Sequence, residues 1–201
     1  MRAELMLLPS ETYLFEVMAV GENKADPGAI HAARDGLKAA IGEGLSKQLA
    51  ALYARVAAIA FNDPNGRGAR KVKTTVLALL AASDPARTAQ LAAVQYDNAD
   101  NMTDRQGALM VLAGLESEER ETRLAEFYKR YSENALVVDK WFTLQALSLH
   151  PEVIAHTRAL AEHPDFTMKN PNRVRSLYMA FAGNPQAFHA ADGSGYRMIA
   201  D

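Results

Sequence analysis

The stretch TMKNPNRVRSLYMAFAGNPQAFHAADGSGY, residues 167–196, decides how this chain is read. It contains two Asn-Pro dipeptides, Asn170-Pro171 and Asn184-Pro185, and each marks a helix start. The Asn side chain accepts from an orphan backbone N–H, and proline at the first helical position removes one such donor. Val174, Leu177, Tyr178 and Phe181 follow at i, i+3, i+4 and i+7, which predicts a helix over 171–182 with one buried face. Gly183 is expected to close that helix in the left-handed conformation that glycine adopts cheaply. Phe166, just ahead of the first start, is placed to staple it. Asp192-Gly193-Ser194-Gly195 reads as a turn and N-cap before a last apolar helix carrying Tyr196, Met198 and Ile199.

Outward from this stretch the same punctuation recurs. Asp26-Pro27 and Asp84-Pro85 are further cap-plus-proline starts. Thr103 with Gln106 has the spacing of a capping box, and Ser117 precedes Glu118 and Glu119, acids where the helix dipole favours them. Helices are expected near 2–7, 10–19, 27–43, 45–61, 69–82, 85–97, 103–116, 118–132, 135–149, 151–162, 171–182 and 185–191, with one more beginning at 195. No segment alternates with a period of two. The fold class is therefore all-α: antiparallel helix pairs stacked in a curved, solenoid-like superhelix of the HEAT or armadillo kind. No exact repeat period is present, so a tetratricopeptide or ankyrin array is not expected. Asn62 to Gly68 reads as a turn-rich loop within a single helical domain covering 1–201.

Bulk properties narrow the function classes. A chain of 201 residues with 49% hydrophobic content can bury a sizeable core. A formal net charge of −2 gives no electrostatic case for nucleic acid or an anionic membrane. Cysteine is absent, which removes disulfides and thiolate metal sites and suits a cytoplasmic location. The longest apolar run, Val76 to Ala82, is too short to cross a bilayer. The expectation is a soluble domain.

Candidate chemistry is sparse. The histidines stand at 31, 150, 156, 163 and 189, and no two lie four apart as an H-E-x-x-H zinc helix requires. His156 and His163 come nearest to a site and read as surface or cap residues. Ser194 lacks the strand-to-helix elbow of a nucleophile. Asn65 to Lys71 lacks the spacing of a phosphate loop and reads as a solvated turn. Trp141 shares a helix face with Val137, Leu144 and Leu147, a core stripe whose indole N–H needs a partner. Arg173 and Arg175 are the best functional candidates. Two residues apart, they point about 160–200° apart around a helix, so both cannot face one ligand. One is expected to pair with a neighbouring helix or cover apolar surface, the other to line a cavity.

Several of these segments also carry a resemblance. Residues 170–196, with NADNMTDRQGAL (98–109) and LVVDKWFTLQA (136–146), resemble the C-terminal domain of the M1 family of bacterial zinc aminopeptidases. LPSETYLFEVM (8–18) and DPGAIHAARDGLKAAI (26–41) are similar more loosely, so the likeness covers nearly the whole chain. The resemblance implies a fragment of a longer protein, preceded by N-terminal and catalytic domains and followed by more helices after Asp201. It implies that this domain caps an active-site chamber and restricts which peptides enter. By the match to N-P-N-R-x-R-S, Arg175, with Arg173 beside it, lines that chamber. The zinc belongs to the parent enzyme's catalytic domain. The exopeptidase motif GxMEN is absent here too, so no metal, cofactor or catalytic residue is assigned to these 201 residues. The parent would release N-terminal amino acids from short peptides by zinc-dependent hydrolysis. Its expected partners are the other domains of the same chain and peptide substrates, not nucleic acid or membrane. The competing reading is an α-solenoid scaffold whose concave face holds a peptide or partner protein.

Overall fold

The structure is a computed structural model describing residues 4–20 and 24–200, and every described element is helical. After a single 3₁₀ turn at Glu4–Met6 come α1 (Glu11–Met18), α2 (Pro27–Gly44), α3 (Ser46–Ala57), α4 (Gly66–Ala81), α5 (Pro85–Asn98) and α6 (Met102–Ala113). The remaining helices are α7 (Glu118–Tyr131), α8 (Ala135–Ala146), α9 (Val153–Ala161), α10, α11 (Pro185–Phe188) and α12 (Ser194–Ala200). Helix α10 has three parts: Pro171–Val174, a π-helical turn Arg175–Met179, and Ala180–Ala182. The expected helix at 2–7 begins outside the described residues, and its described part is only the 3₁₀ turn.

Local chemistry explains most of the boundaries. Asp26, Asp84, Ser117, Asn170 and Asn184 each accept backbone N–H groups of the helix they precede. One expected cap is displaced. The Asp104 N–H donates to Asn101 Oδ1 at 2.9 Å, so α6 begins before Thr103 and the Thr103–Gln106 box does not form. The turn-rich stretch after Phe61 also yields earlier than expected, because α4 starts at Gly66. A Cβ there would stand 2.6 Å from the Phe61 carbonyl oxygen, so this close approach needs glycine.

The helices pack as two compact units, residues 1–111 and 112–201. In the first, α4 is central, lying against α2, α3 and α5. Its face of Val72, Val76, Leu77 and Leu80 is buried with Leu49 and Tyr53 of α3 and Ala92 and Tyr96 of α5. In the second, α8 is central, lying against α7, α9 and α10. Trp141 and Phe142 of α8 are buried there with Leu124, Phe127, Leu177 and Phe181. Each central helix touches the ones before and after it in sequence, the packing of consecutive antiparallel helices. The Trp141 stripe is shorter than expected: Leu147 is exposed because α8 ends at Ala146.

One glycine differs from expectation. Gly183 has φ −79° and does not use the left-handed region, because the chain passes directly from α10 to the Asn184 cap. Gly193 does, at φ 73°. Past it, Tyr196 and Ile199 are exposed, whereas Met198 is buried. Helix α12 packs on α11 through Gly195, where a Cβ would lie 2.2 Å from the Ala187 carbonyl oxygen. Gly195→Ala is therefore expected to dislodge α12, seen as lowered thermal stability and faster amide exchange over 194–200. Gly36→Ala, in α2 with nothing within 4 Å of its Cβ, is expected to stabilise by about 0.5–1 kcal/mol. Equal effects from the two substitutions would contradict this packing.

Candidate functional site

The π-helical turn of α10 positions the two candidate arginines. Its defining bond runs from the Ala180 N–H to the Arg175 carbonyl, five residues back. A π turn offsets carbonyls from their usual partners. The Ser176 carbonyl accepts from the Thr143 hydroxyl of α8 at 3.0 Å, and the Ser176 hydroxyl donates to the Arg173 carbonyl at 2.8 Å. Thr143 thus holds the irregular turn from a neighbouring helix. Arg173 is buried and Arg175 is exposed, as their two-residue spacing around a helix places them.

Arg173 points into the second unit. Its Nε lies 3.2 Å from Asp139 Oδ1, and its guanidinium sits 4.9 Å above the Phe142 ring centroid. The Asp139 contact is an ion pair and not an aligned hydrogen bond, because Nε, Nη1 and Oδ1 make none. Attraction to the carboxylate and to the ring face offsets the loss of water around the charge. This is the arginine expected to pair with a neighbouring helix.

An aromatic shell surrounds that pair. The Trp141 indole N–H finds its partner in the Leu124 carbonyl at 2.9 Å. Tyr128 stacks against Trp141 at 5.0 Å and donates its hydroxyl to Asp165 Oδ2 at 2.8 Å, an interaction that raises its pKa. The His163 ring packs edge-on against Tyr128 and Phe142, and its Nδ1 accepts from the Asp165 N–H at 3.1 Å. Burial lowers the His163 pKa, so it is a neutral packing residue. Phe166 packs edge-on against Tyr178 at 5.3 Å, the staple expected ahead of α10.

A second cluster gathers around Arg120, which is 3% exposed. Its Nε donates to the Ala113 carbonyl at 3.2 Å and its Nη2 to His156 Nδ1 at 3.0 Å, while Nη1 meets Glu121. The His150 and His156 rings stand 4.5 Å apart, and His150 Nδ1 accepts from the Glu152 N–H at 3.1 Å. Burial first, and Arg120 second, lower the pKa of both histidines, against the opposing pull of Glu116, Glu121 and Glu152.

The zinc that the resemblance implies for a parent enzyme does not fit these residues. Among the described residues, no three histidine or acidic side chains converge where a metal ion could be held. His150 and His156 do meet, but both Nδ1 atoms already accept hydrogen bonds and a guanidinium lies alongside. No metal-assisted step is derived from them.

In the first unit the structure brings together a polar group that the sequence reading overlooked. Lys73 of α4, 6% exposed, reaches Asp104 Oδ2 at 2.7 Å, and Tyr53 donates to Gln95 Oε1 at 2.8 Å. Gln95 in turn donates to the Asp104 carbonyl at 2.9 Å. Burial and the nearby Asp104 push the Tyr53 phenol up to about 12. The available signal was Lys73 itself, a charge next to the apolar stripe of Val72, Val76 and Leu77.

The succession of packed helices defines a helical-repeat domain. The comparisons agree. The chain belongs to the family described as a domain of unknown function (DUF3458_C) with ARM repeats, whose model matches residues 1–201. It is 36% identical over 201 residues to aminopeptidase N of Escherichia coli (strain K12), covering 99% of this chain and 23% of that protein. It is 34% identical to aminopeptidase N of Caulobacter vibrioides, covering 100% of this chain and again 23% of the relative. A crystal structure of Legionella pneumophila aminopeptidase A in complex with aspartic acid aligns with a TM-score of 0.86 at 30% identity. That alignment covers 99% of this chain and 24% of the other. The chain therefore spans about a quarter of the length of these relatives and is similar to the C-terminal helical region of aminopeptidase N.

The histidines make stability depend on pH. His150, His156 and His163 all have folded-state pKa values below the ordinary 6.5, so the unfolded chain binds more protons as pH falls. Their stabilising contribution is complete above about pH 6.5 and is lost as pH drops through that value towards the lowered folded values. Thermal denaturation between about pH 7 and 5 is expected to show a falling Tm, with a shallower fall in His156→Gln. An unchanged slope in that variant would count against the Arg120–His156 arrangement.

Proposed function

We propose that this chain is the capping domain of a zinc-dependent M1 aminopeptidase, closing a chamber through which short peptides reach a reaction centre held by other parts of the protein. The observation that carries this reading is the similarity to aminopeptidase N along essentially the whole chain, over only about a quarter of each relative. The parent's reaction is release of N-terminal amino acids from short peptides. A bound zinc would supply Lewis-acid activation of water there. The contribution of this domain is exclusion: packed helices keep out folded proteins and bulk water. It is one domain, its partners are the catalytic and N-terminal domains of the parent and the peptides in the chamber, and its location is cytoplasmic. The described helices include none long and apolar enough to cross a membrane.

Within this reading Arg175 lines the chamber, and Arg173 is the buried neighbour that fixes the helix carrying it. Support comes from the exposure of Arg175 on a turn anchored by Thr143 and Arg173. A planar, always-charged guanidinium suits a peptide carbonyl or C-terminal carboxylate, with which it makes charge-assisted and bidentate bonds. A hydrogen bond to a charged group contributes about 1.5–3 kcal/mol, so Arg175→Ala in the full-length enzyme is expected to raise KM for tripeptides by roughly tenfold or more. An aminoacyl-arylamide, which lacks the downstream peptide, should be nearly unaffected, and Arg175→Lys should recover part of the loss. Unchanged KM for tripeptides would remove Arg175 from the chamber.

A further inference from the structure

Helices α3 and α4 of the first unit flank a groove of about 1150 Å³ that the capping role does not use. Its floor is apolar: Val56 of α3 and Val72 of α4 are buried, with Leu52 half-buried beside them. Its rim is basic. Arg55 of α3 and Arg67 and Lys71 of α4 are exposed, and the last two stand one helical turn apart on the same side. Against these three cations the lining offers one carboxylate, Glu4 of the 3₁₀ turn.

This concentration of positive charge runs against a chain whose formal net charge is −2. Arg34, Lys38, Lys73 and Arg173 each have a carboxylate partner, whereas Arg55, Arg67 and Lys71 form no ion pair among the described residues. Glu4 is close enough to feel the Lys71 charge. With Met6 it lays one acid and one apolar side chain along the groove, the two chemistries that a fuller occupant needs.

The complement is a polypeptide segment with carboxylates along its edge and aliphatic side chains between them. We propose that the groove seats such an acidic, amphipathic segment from the part of the parent polypeptide outside residues 1–201. Its carboxylates lie on Arg55, Arg67 and Lys71, and its aliphatic side chains on Val56 and Val72. Such an occupant exists only if the aminopeptidase reading holds and this chain is one domain of a larger protein. The weakness of exposed ion pairs favours a tethered source. Each is worth no more than about a fivefold change in an equilibrium constant, so three hold a dissolved peptide poorly. A segment of the same polypeptide meets the groove at an effective concentration on the order of millimolar, where modest contacts suffice. This chain spans 23% of each aminopeptidase N relative, so most of such a polypeptide lies outside it.

The test is zero-length coupling in the full-length enzyme, first shown to hydrolyse an aminoacyl-arylamide. A carbodiimide condenses an amine with a carboxylate in contact with it, and mass spectrometry of the digested protein identifies the two peptides joined. Lys71 is expected to be joined to an aspartate or glutamate outside residues 1–201. Gly68→Leu adds a side chain in the groove, where nothing lies within 4 Å of its Cβ, so the fold is kept. That variant, and the double variant Arg55→Glu, Arg67→Glu at two exposed positions, should retain helical circular dichroism and lower the coupling at least fivefold. Arg67→Lys should keep it. Lys71 joined only to Glu4, joined to a second copy or to a separate protein, or left uncoupled would each overturn the proposal. Undiminished coupling in Gly68→Leu would do the same. Arylamide hydrolysis is read before coupling, so a failure of the aminopeptidase reading shows at that step and a failure of this groove only afterwards.

Discussion

The second unit depends on accommodating the buried guanidinium of Arg173. Arg173 enters an apolar, aromatic region where a lone charge is costly, and Asp139 and the face of Phe142 offset that cost. Satisfying it fixes α10 against α8 in rotation and register. Arg173, Leu177 and Phe181 stand four residues apart, so they share one face of α10, and all three are buried. Within that helix the Thr143 hydroxyl of α8 donates to the Ser176 carbonyl of the π turn. Arg175, two residues on from the buried Arg173, falls on the opposite, exposed face.

The first unit solves the same problem with a different charge. Lys73 lies beside the apolar face of α4, and Asp104 meets it from the first turn of α6. Because the Asp104 backbone is bound by Gln95 and Asn101, the carboxylate is preorganised and does not have to be ordered by the lysine. Each unit thus contains a buried cation whose anion stands on a neighbouring helix. They differ in what surrounds the pair: aromatic rings in the second unit, a cavity in the first.

What the sequence conveyed was largely what is local. The caps at Asp26, Asp84, Ser117, Asn170 and Asn184 depend on residues two or three apart, and each was legible. Thr103 was misread because Asn101, two residues earlier, caps the helix through the Asp104 N–H and places Thr103 inside its first turn. Gly183 was misread because a glycine at a helix end can close it without positive φ when the next cap follows at once. The π turn could not be seen, since the hydroxyl that holds it lies 33 residues away in α8. Nor could the contact of Arg120 with His156, 36 residues apart. The opposite exposures of Arg173 and Arg175 were legible from their spacing. The partner of Arg173 was not.

The most direct test of this account is a double-mutant cycle on the Arg173–Asp139 pair, measured by denaturant unfolding. Breaking a buried pair from one side leaves an uncompensated charge, so Asp139→Leu alone is expected to cost about 3–5 kcal/mol. Combining it with Arg173→Met removes the charge as well, and most of that loss should return. Strictly additive losses, or a negligible cost for Asp139→Leu, would contradict the claim that this ion pair fixes α10 and the surface it presents.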